Sequence, residues 1–318
     1  MTELERSLPG SANITVICFR DEFSSLPLFS GATFLVIEKG EETLSHWHSR
    51  STRPAEQPAK MAYCQVNSKP FTEQSFMEVL DDEDIIILMV SAEHSCRQKV
   101  VQKLGSSLSN ANYVLTFLVT WHELDSSINK PPHIEGYNTS LFANSALHAT
   151  ELVRSIVELI TIPSLIGVDF ADIKDTFLSE NTLLASGSIG TGKGEHRAIM
   201  ATCNALDAID KSASYHSVFV SIFTGLDFEL SEFSAVSDRI ENEITDDDCI
   251  LVIGVIEDPM LVDSTKIRIV IITCSYVPGT KPRFKQPPIL REYTTIHDES
   301  SGDELFEIPV FLRKRSDN

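Results

Sequence analysis

Few side chains in this chain have the types and spacing that chemistry needs. Gly187-Ser-Ile-Gly-Thr-Gly-Lys193 meets the formal G-x-x-x-x-G-K pattern of a phosphate loop. Gly194 then stands where a Ser or Thr must hold Mg²⁺, so phosphate-loop chemistry is not expected there. His46-Trp-His48 and His122-Glu123 lack a Cys or acidic partner at metal-ligand spacing, and no metal site is predicted. Ser217 and Ser221 sit in no nucleophile elbow, which leaves hydrolase chemistry unsupported. Asp169 and Asp172 fit a turn and a helix N-cap. A cap needs only one carboxylate, however, so the pair points to a further role. The strongest signal is binding chemistry in residues 303–314. Leu305, Phe306, Ile308, Val310, Phe311 and Leu312 give this stretch more apolar surface than a solvated tail carries. If it turns helical after Pro309, then Ile308, Phe311 and Leu312 share one face. Asp303, Glu304 and Glu307 precede that turn while Arg313, Lys314 and Arg315 follow it, the order that suits a helix dipole. The segment is expected to lie in a partner's groove.

The elements that must position these residues follow from composition and pattern. At 318 residues and 42% apolar content, the chain can bury a large core in about two domains. A formal charge of −20 argues against nucleic acid and anionic membrane surfaces. Six scattered cysteines without a C-x-x-C pair indicate neither a zinc ribbon nor a disulfide framework. No signal peptide and no apolar stretch of membrane-spanning length is read, so a cytoplasmic protein is expected.

Continuous apolar runs at Ile14–Cys18, Thr33–Ile37, Asp84–Val90 and Tyr113–Val119 predict strands of a parallel sheet covered on both faces. Ser95–Leu108 predicts the helix between the last two. The polar stretch from Ser45 to Lys60 reads as a surface loop. Apolar positions from Asn144 to Ile160 recur at helical spacing and predict a long buried helix ended by Pro163. Beyond it come strands at Val218–Phe223, Cys249–Val255 and Lys266–Thr273, with helices at Glu195–Ile209 and Ser231–Ile244. Pro278, Pro282, Pro287 and Pro288 mark a linker of roughly two dozen residues.

Several segments resemble one family in the right order. Glu158-Leu-Ile-Thr-Ile-Pro-Ser-Leu-Ile-Gly-Val-Asp-Phe-Ala-Asp172 resembles the end of the central helix and the following loop of FtsZ, the bacterial tubulin homologue. Gly187 to Ala198 resembles that family's next strand, Gly-rich turn and helix start; Ile222 to Phe233 resembles its turn before the last long helix. Val252–Asp258 and Ile267–Thr273 follow as its closing strands, and Glu307-Ile-Pro-Val-Phe-Leu-Arg-Lys314 is similar to its C-terminal peptide. The resemblance implies an α/β, FtsZ/tubulin-like fold: a Rossmann-like N-terminal domain (1–143), a long central helix (144–161) and an α+β C-terminal domain (162–277). A flexible linker (278–302) and a partner-binding peptide (303–318) complete the expected organisation.

The departures from the family carry equal weight. FtsZ proteins hold GTP on two glycine-rich loops, because backbone N–H groups must come close to phosphates. Here the first strand runs into Phe19-Arg-Asp-Glu-Phe23 and the second loop position reads Ser91-Ala-Glu-His-Ser-Cys96, both without glycine. The family's guanine-reading pair falls on Ala146 and Leu147. Loss of GTP binding is therefore expected, with no cofactor and no catalysis in cis. The resemblance makes Asp169 and Asp172 the loop that enters a neighbouring subunit's nucleotide pocket, although the family's Asn is Gly167 here. The expected partners are FtsZ itself, together with FtsA, ZipA and other readers of the C-terminal peptide. Leu305, Phe306, Ile308, Pro309, Phe311, Leu312, Arg313 and Lys314 would carry that contact at the division site at midcell. The alternative is a divergent GTP-binding, polymerising GTPase of the same family.

Overall fold

Apolar runs too short for helices become strands here, and α-helices cover both faces of the sheet they build. The computed structural model describes residues 12–23, 31–38, 43–52, 60–70, 80, 83–93, 97–109, 115–122, 136–162, 164–258, 261 and 265–278. The chain divides into two units, Met1–Pro282 and Arg283–Asn318. The second unit lies outside the described residues, and so do the tail positions Leu305 to Lys314.

The strands are β1 (Ile14–Phe19), β2 (Thr33–Ile37), β3 (Thr43–Thr52), β4 (Lys60–Pro70), β5 (Ile85–Ser91), β6 (Leu115–Trp121), β7 (Thr139–Ala143), β8 (Leu183–Lys193), β9 (Ser217–Thr224), β10 (Ile250–Glu257) and β11 (Lys266–Tyr276). The helices are α1 (Arg20–Phe23), α2 (Gln98–Leu108), α3 (Ala146–Thr161), α4 (Phe170–Phe177), α5 (Arg197–Leu206) and α6 (Leu230–Ile244). All described strands form one sheet in the order β10-β9-β11-β8-β7-β6-β5-β1-β2-β3-β4. From β2 through β8 the order β2-β1-β5-β6-β7-β8 is parallel. β11 is antiparallel to both β8 and β9. β5, β6 and β9 are buried along their whole length, as strands covered on both faces must be.

α3 is the central element. The Ser145 hydroxyl accepts the His148 N–H at 3.1 Å and caps its start. Its face of Ala149, Leu152, Val153, Ile156 and Val157 is buried in the largest core cluster. It stops at Thr161, just ahead of Pro163, as the proline requires. A charged network fixes α3 to the last strands. Arg154 pairs with Glu158 at 2.7 Å and with Asp258 at 3.1 Å. Arg268 meets the same Asp258 at 3.0 Å and Glu151 at 2.7 Å, and both guanidiniums lie over the Phe223 ring. The two buried carboxylates, Glu158 and Asp258, thus each have a guanidinium in reach.

One expectation fails and another is refined. The stretch from Ser45 to Lys60, read as a loop, instead supplies most of β3 and the first residue of β4 in an antiparallel hairpin at the sheet edge; residues 53–59 lie outside the described set. Edge strands tolerate polar side chains, so polarity alone was a poor guide. The expected strand, turn and helix start over Gly187–Ala198 are present, with Gly187–Lys193 inside β8 and the turn at Gly194–His196. A Cβ on Gly190 would sit 1.9 Å from the Ala201 carbonyl oxygen, and one on Gly192 would sit 1.9 Å from that of Arg197. These glycines let the α5 backbone rest directly on the strand.

Candidate functional site

In an open α/β sheet, the crevice for a ligand lies beyond the carboxyl ends of the strands, where chain connections part to opposite sides. The topology places that point between β1 and β5. The chain goes from β1 to β2 on one side, and β5 later pairs with β1 on the other. The described residues at and after these strand ends are α1, Ser91–Glu93 and Arg97. They belong to the two loops that, by resemblance, would cradle phosphates.

An internal ion cluster joins them. Glu22 is 6% exposed, and its Oε1 accepts the Ser91 backbone N–H at 2.8 Å. Arg97, 8% exposed at the start of α2, donates Nη1–H to the same oxygen. Its Nη2 donates to both carboxylate oxygens of Asp21, at 2.6 and 2.5 Å. The guanidinium also lies 4.1 Å from the Phe19 ring centre. Burial pushes the Glu22 carboxyl up to about 7; the Ser91 N–H and the Arg97 charge pull it back only part way. Beside this cluster Arg20 donates to Glu38 at 2.8 and 2.5 Å, tying α1 to the end of β2.

Arg97 was not singled out in the sequence. Its separation from Glu22 by 75 residues leaves no local signal, and only the sheet order brings the two together. Ala146 and Leu147 open α3 at the carboxyl end of β7. Ala146 is buried, Leu147 is 63% exposed, and neither side chain can hydrogen-bond to a base.

Asp169 and Asp172 lie beyond the other end of α3, a helix about 24 Å long. Leu165 N–H donates to the Val255 carbonyl at 2.8 Å, and Val255 N–H donates to the Ile166 carbonyl at 3.0 Å, which fixes this loop to β10. Asp169 caps α4: its Oδ1 accepts the Asp172 N–H at 2.9 Å, while Asp172 Oδ2 accepts the Asp169 N–H at 3.0 Å. The expectation that a cap needs only one of them does not hold, because a capping box uses both. The tail residues expected to bind partners fall outside the described set.

The segments that carry the resemblance also meet in space. Arg197 at the start of α5 donates to Asp227 at 3.1 Å and to Glu232 at 2.7 and 2.8 Å. The 187–198 and 222–233 stretches are thereby one cluster between α5 and α6. Among the described residues no helix is long and apolar enough to cross a membrane.

Comparison with known proteins agrees with this layout. Residues 184–275 match the FtsZ family, C-terminal domain. The cell division protein FtsZ of Wigglesworthia glossinidia brevipalpis is 39% identical over 123 residues, covering 37% of this chain and 31% of that protein. That of Coxiella burnetii is 32% identical over 222 residues, covering 58% of this chain and 56% of that protein. The chain thus spans from about a third to just over half the length of these relatives. An FtsZ dimer structure from M. jannaschii superposes with a TM-score of 0.60 at 17% identity, over 86% of this chain and 90% of that one. At that identity the likeness carries the fold. Residues 184–275 thus resemble the FtsZ family's C-terminal domain, and the described body has an FtsZ/tubulin-like fold.

Proposed function

We propose that this chain is a cell-division protein that does not turn over GTP and acts by binding FtsZ filaments, division tethers or both, regulating or capping ring assembly at the division site. Its relatives' name, cell division protein FtsZ, supports the process. The observation that carries the finer reading is the Glu22–Arg97–Ser91 cluster in the β1–β5 crevice. No glycine occurs from Arg20 to Ser30 or from Phe71 to Leu104, so no Cβ-free backbone is offered to phosphates. Two carboxylates face any anion that enters, and the residues present do not fit a triphosphate.

The loop beyond α3 keeps what docking needs. Asp169 is exposed, and each capping carboxylate retains acceptor capacity beyond its single backbone N–H. Docking of this loop on the nucleotide pocket of GTP-loaded FtsZ would leave the opposite surface unable to receive a further subunit, which stops growth at that end. The tail supplies a second contact: Ile308, Phe311 and Leu312 anchor it on readers such as FtsA or ZipA. Weak single contacts gain strength by multivalency along a filament.

The test is sedimentation and GTPase rate of FtsZ with and without the purified chain. Asp172→Asn keeps an oxygen for the Asp169 N–H while removing the charge. The chain is expected to reduce pelleted FtsZ at least twofold, and the variant to lose most of that effect. If FtsZ pellets and turns over GTP identically in all three mixtures, docking is excluded. The 32–39% identity to proteins named FtsZ favours a second reading, a divergent polymerising GTPase, which requires bound guanine nucleotide.

A further inference from the structure

The crevice between the carboxyl ends of β1 and β5 holds donors arranged as for an anion. They include the Ser91 backbone N–H and the buried Arg97 guanidinium, which meet on a single oxygen of Glu22. A guanidinium and a backbone N–H converging on one point is the donor set that binds phosphate or carboxylate oxygens. The anion they meet belongs to the chain itself. Phe19 supports the guanidinium from below at 4.1 Å and Asp21 holds its other nitrogen, so Arg97 is fixed from three sides. A carboxylate at 6% exposure is costly to desolvate, and its placement at the topological switch point is a poor choice for stability alone.

We propose that Glu22 is an internal stand-in for an oxyanion: its side chain fills the β1–β5 crevice and closes it to phosphate-bearing ligands, leaving a latent anion site built from Arg97 and the Ser91 N–H. This deepens the reading of a chain without GTP turnover, on which it rests, and names the side chain that keeps the ligand out.

The experiment is a thermal melt of the full chain with inorganic pyrophosphate titrated to millimolar concentration. The wild-type midpoint is expected to stay within a degree. Glu22→Ala opens the crevice and is expected to show a saturable upward shift of several degrees, and the double variant Glu22→Ala/Arg97→Ala to lose it. Glu22→Gln, which keeps the side-chain shape, serves if the alanine variant melts without a cooperative transition; its shift should be smaller but above wild type. Equal responses of wild type and both Glu22 variants overturn the proposal, as does a shift in the double variant matching that of Glu22→Ala. Failure here leaves the FtsZ-docking test untouched, because that test reads Asp172 and a neighbour's filament.

Discussion

Glu22 sits in an environment that its type disfavours. Its carboxyl sits at about 7 rather than its ordinary 4.5, because burial outweighs the Ser91 and Arg97 contacts. Between those values the unfolded chain releases a proton that the folded chain keeps, so stability falls as pH rises through that window. Glu22→Gln has no proton to lose. Across pH 4.5 to 7.5 the wild-type midpoint is expected to drop relative to this variant by roughly 5 °C, on the order of 2 kcal/mol. Melting curves that stay parallel over the range would contradict the assignment. At this scale the sequence was half legible. The acids after β1 and the missing glycines were visible, whereas Arg97 was not, since nothing local marks a partner 75 residues away. The aspartates past α3 were legible as a cap, whereas the reciprocal use of one oxygen from each in a capping box was not.

Elements were easier to read than residues, for a physical reason. A strand buried on both faces must be apolar throughout, and β1, β2, β5, β6 and β9 were located within a few residues of their bounds. The periodic face of α3 marked the central helix just as directly. The β3–β4 hairpin was missed because an edge pair leaves no apolar run. Glycine is ambiguous in a different way. In β8 it serves close packing rather than chain reversal, and sequence alone does not separate the two uses. Gly190→Ala, driven into the Ala201 carbonyl, is expected to cost about 3 kcal/mol in denaturant unfolding. Gly194→Ala, at φ 83° with open space around its Cβ, should cost only the backbone strain of about 1 kcal/mol. Equal losses would show that α5 does not sit tightly on β8.

On the scale of the whole molecule, strands from before and after α3 share a single sheet through the β7–β8 pairing. The Arg154–Asp258–Arg268 network then ties the helix to the later strands. The crevice cluster and the Asp169–Asp172 loop therefore belong to one framework, separated by the length of α3. The formal charge of −20 makes association with an acidic partner depend on specific contacts rather than on long-range attraction. The fold class was legible from the order of strand and helix signals, and the C-terminal domain from its motifs. The proposed function rests on a departure from a pattern, and therefore on what the crevice accepts. The most direct check is calorimetric titration of the purified full chain with GTP and Mg²⁺. No heat of binding up to millimolar nucleotide is the expected result, and saturation at one GTP per chain with micromolar affinity would contradict the account.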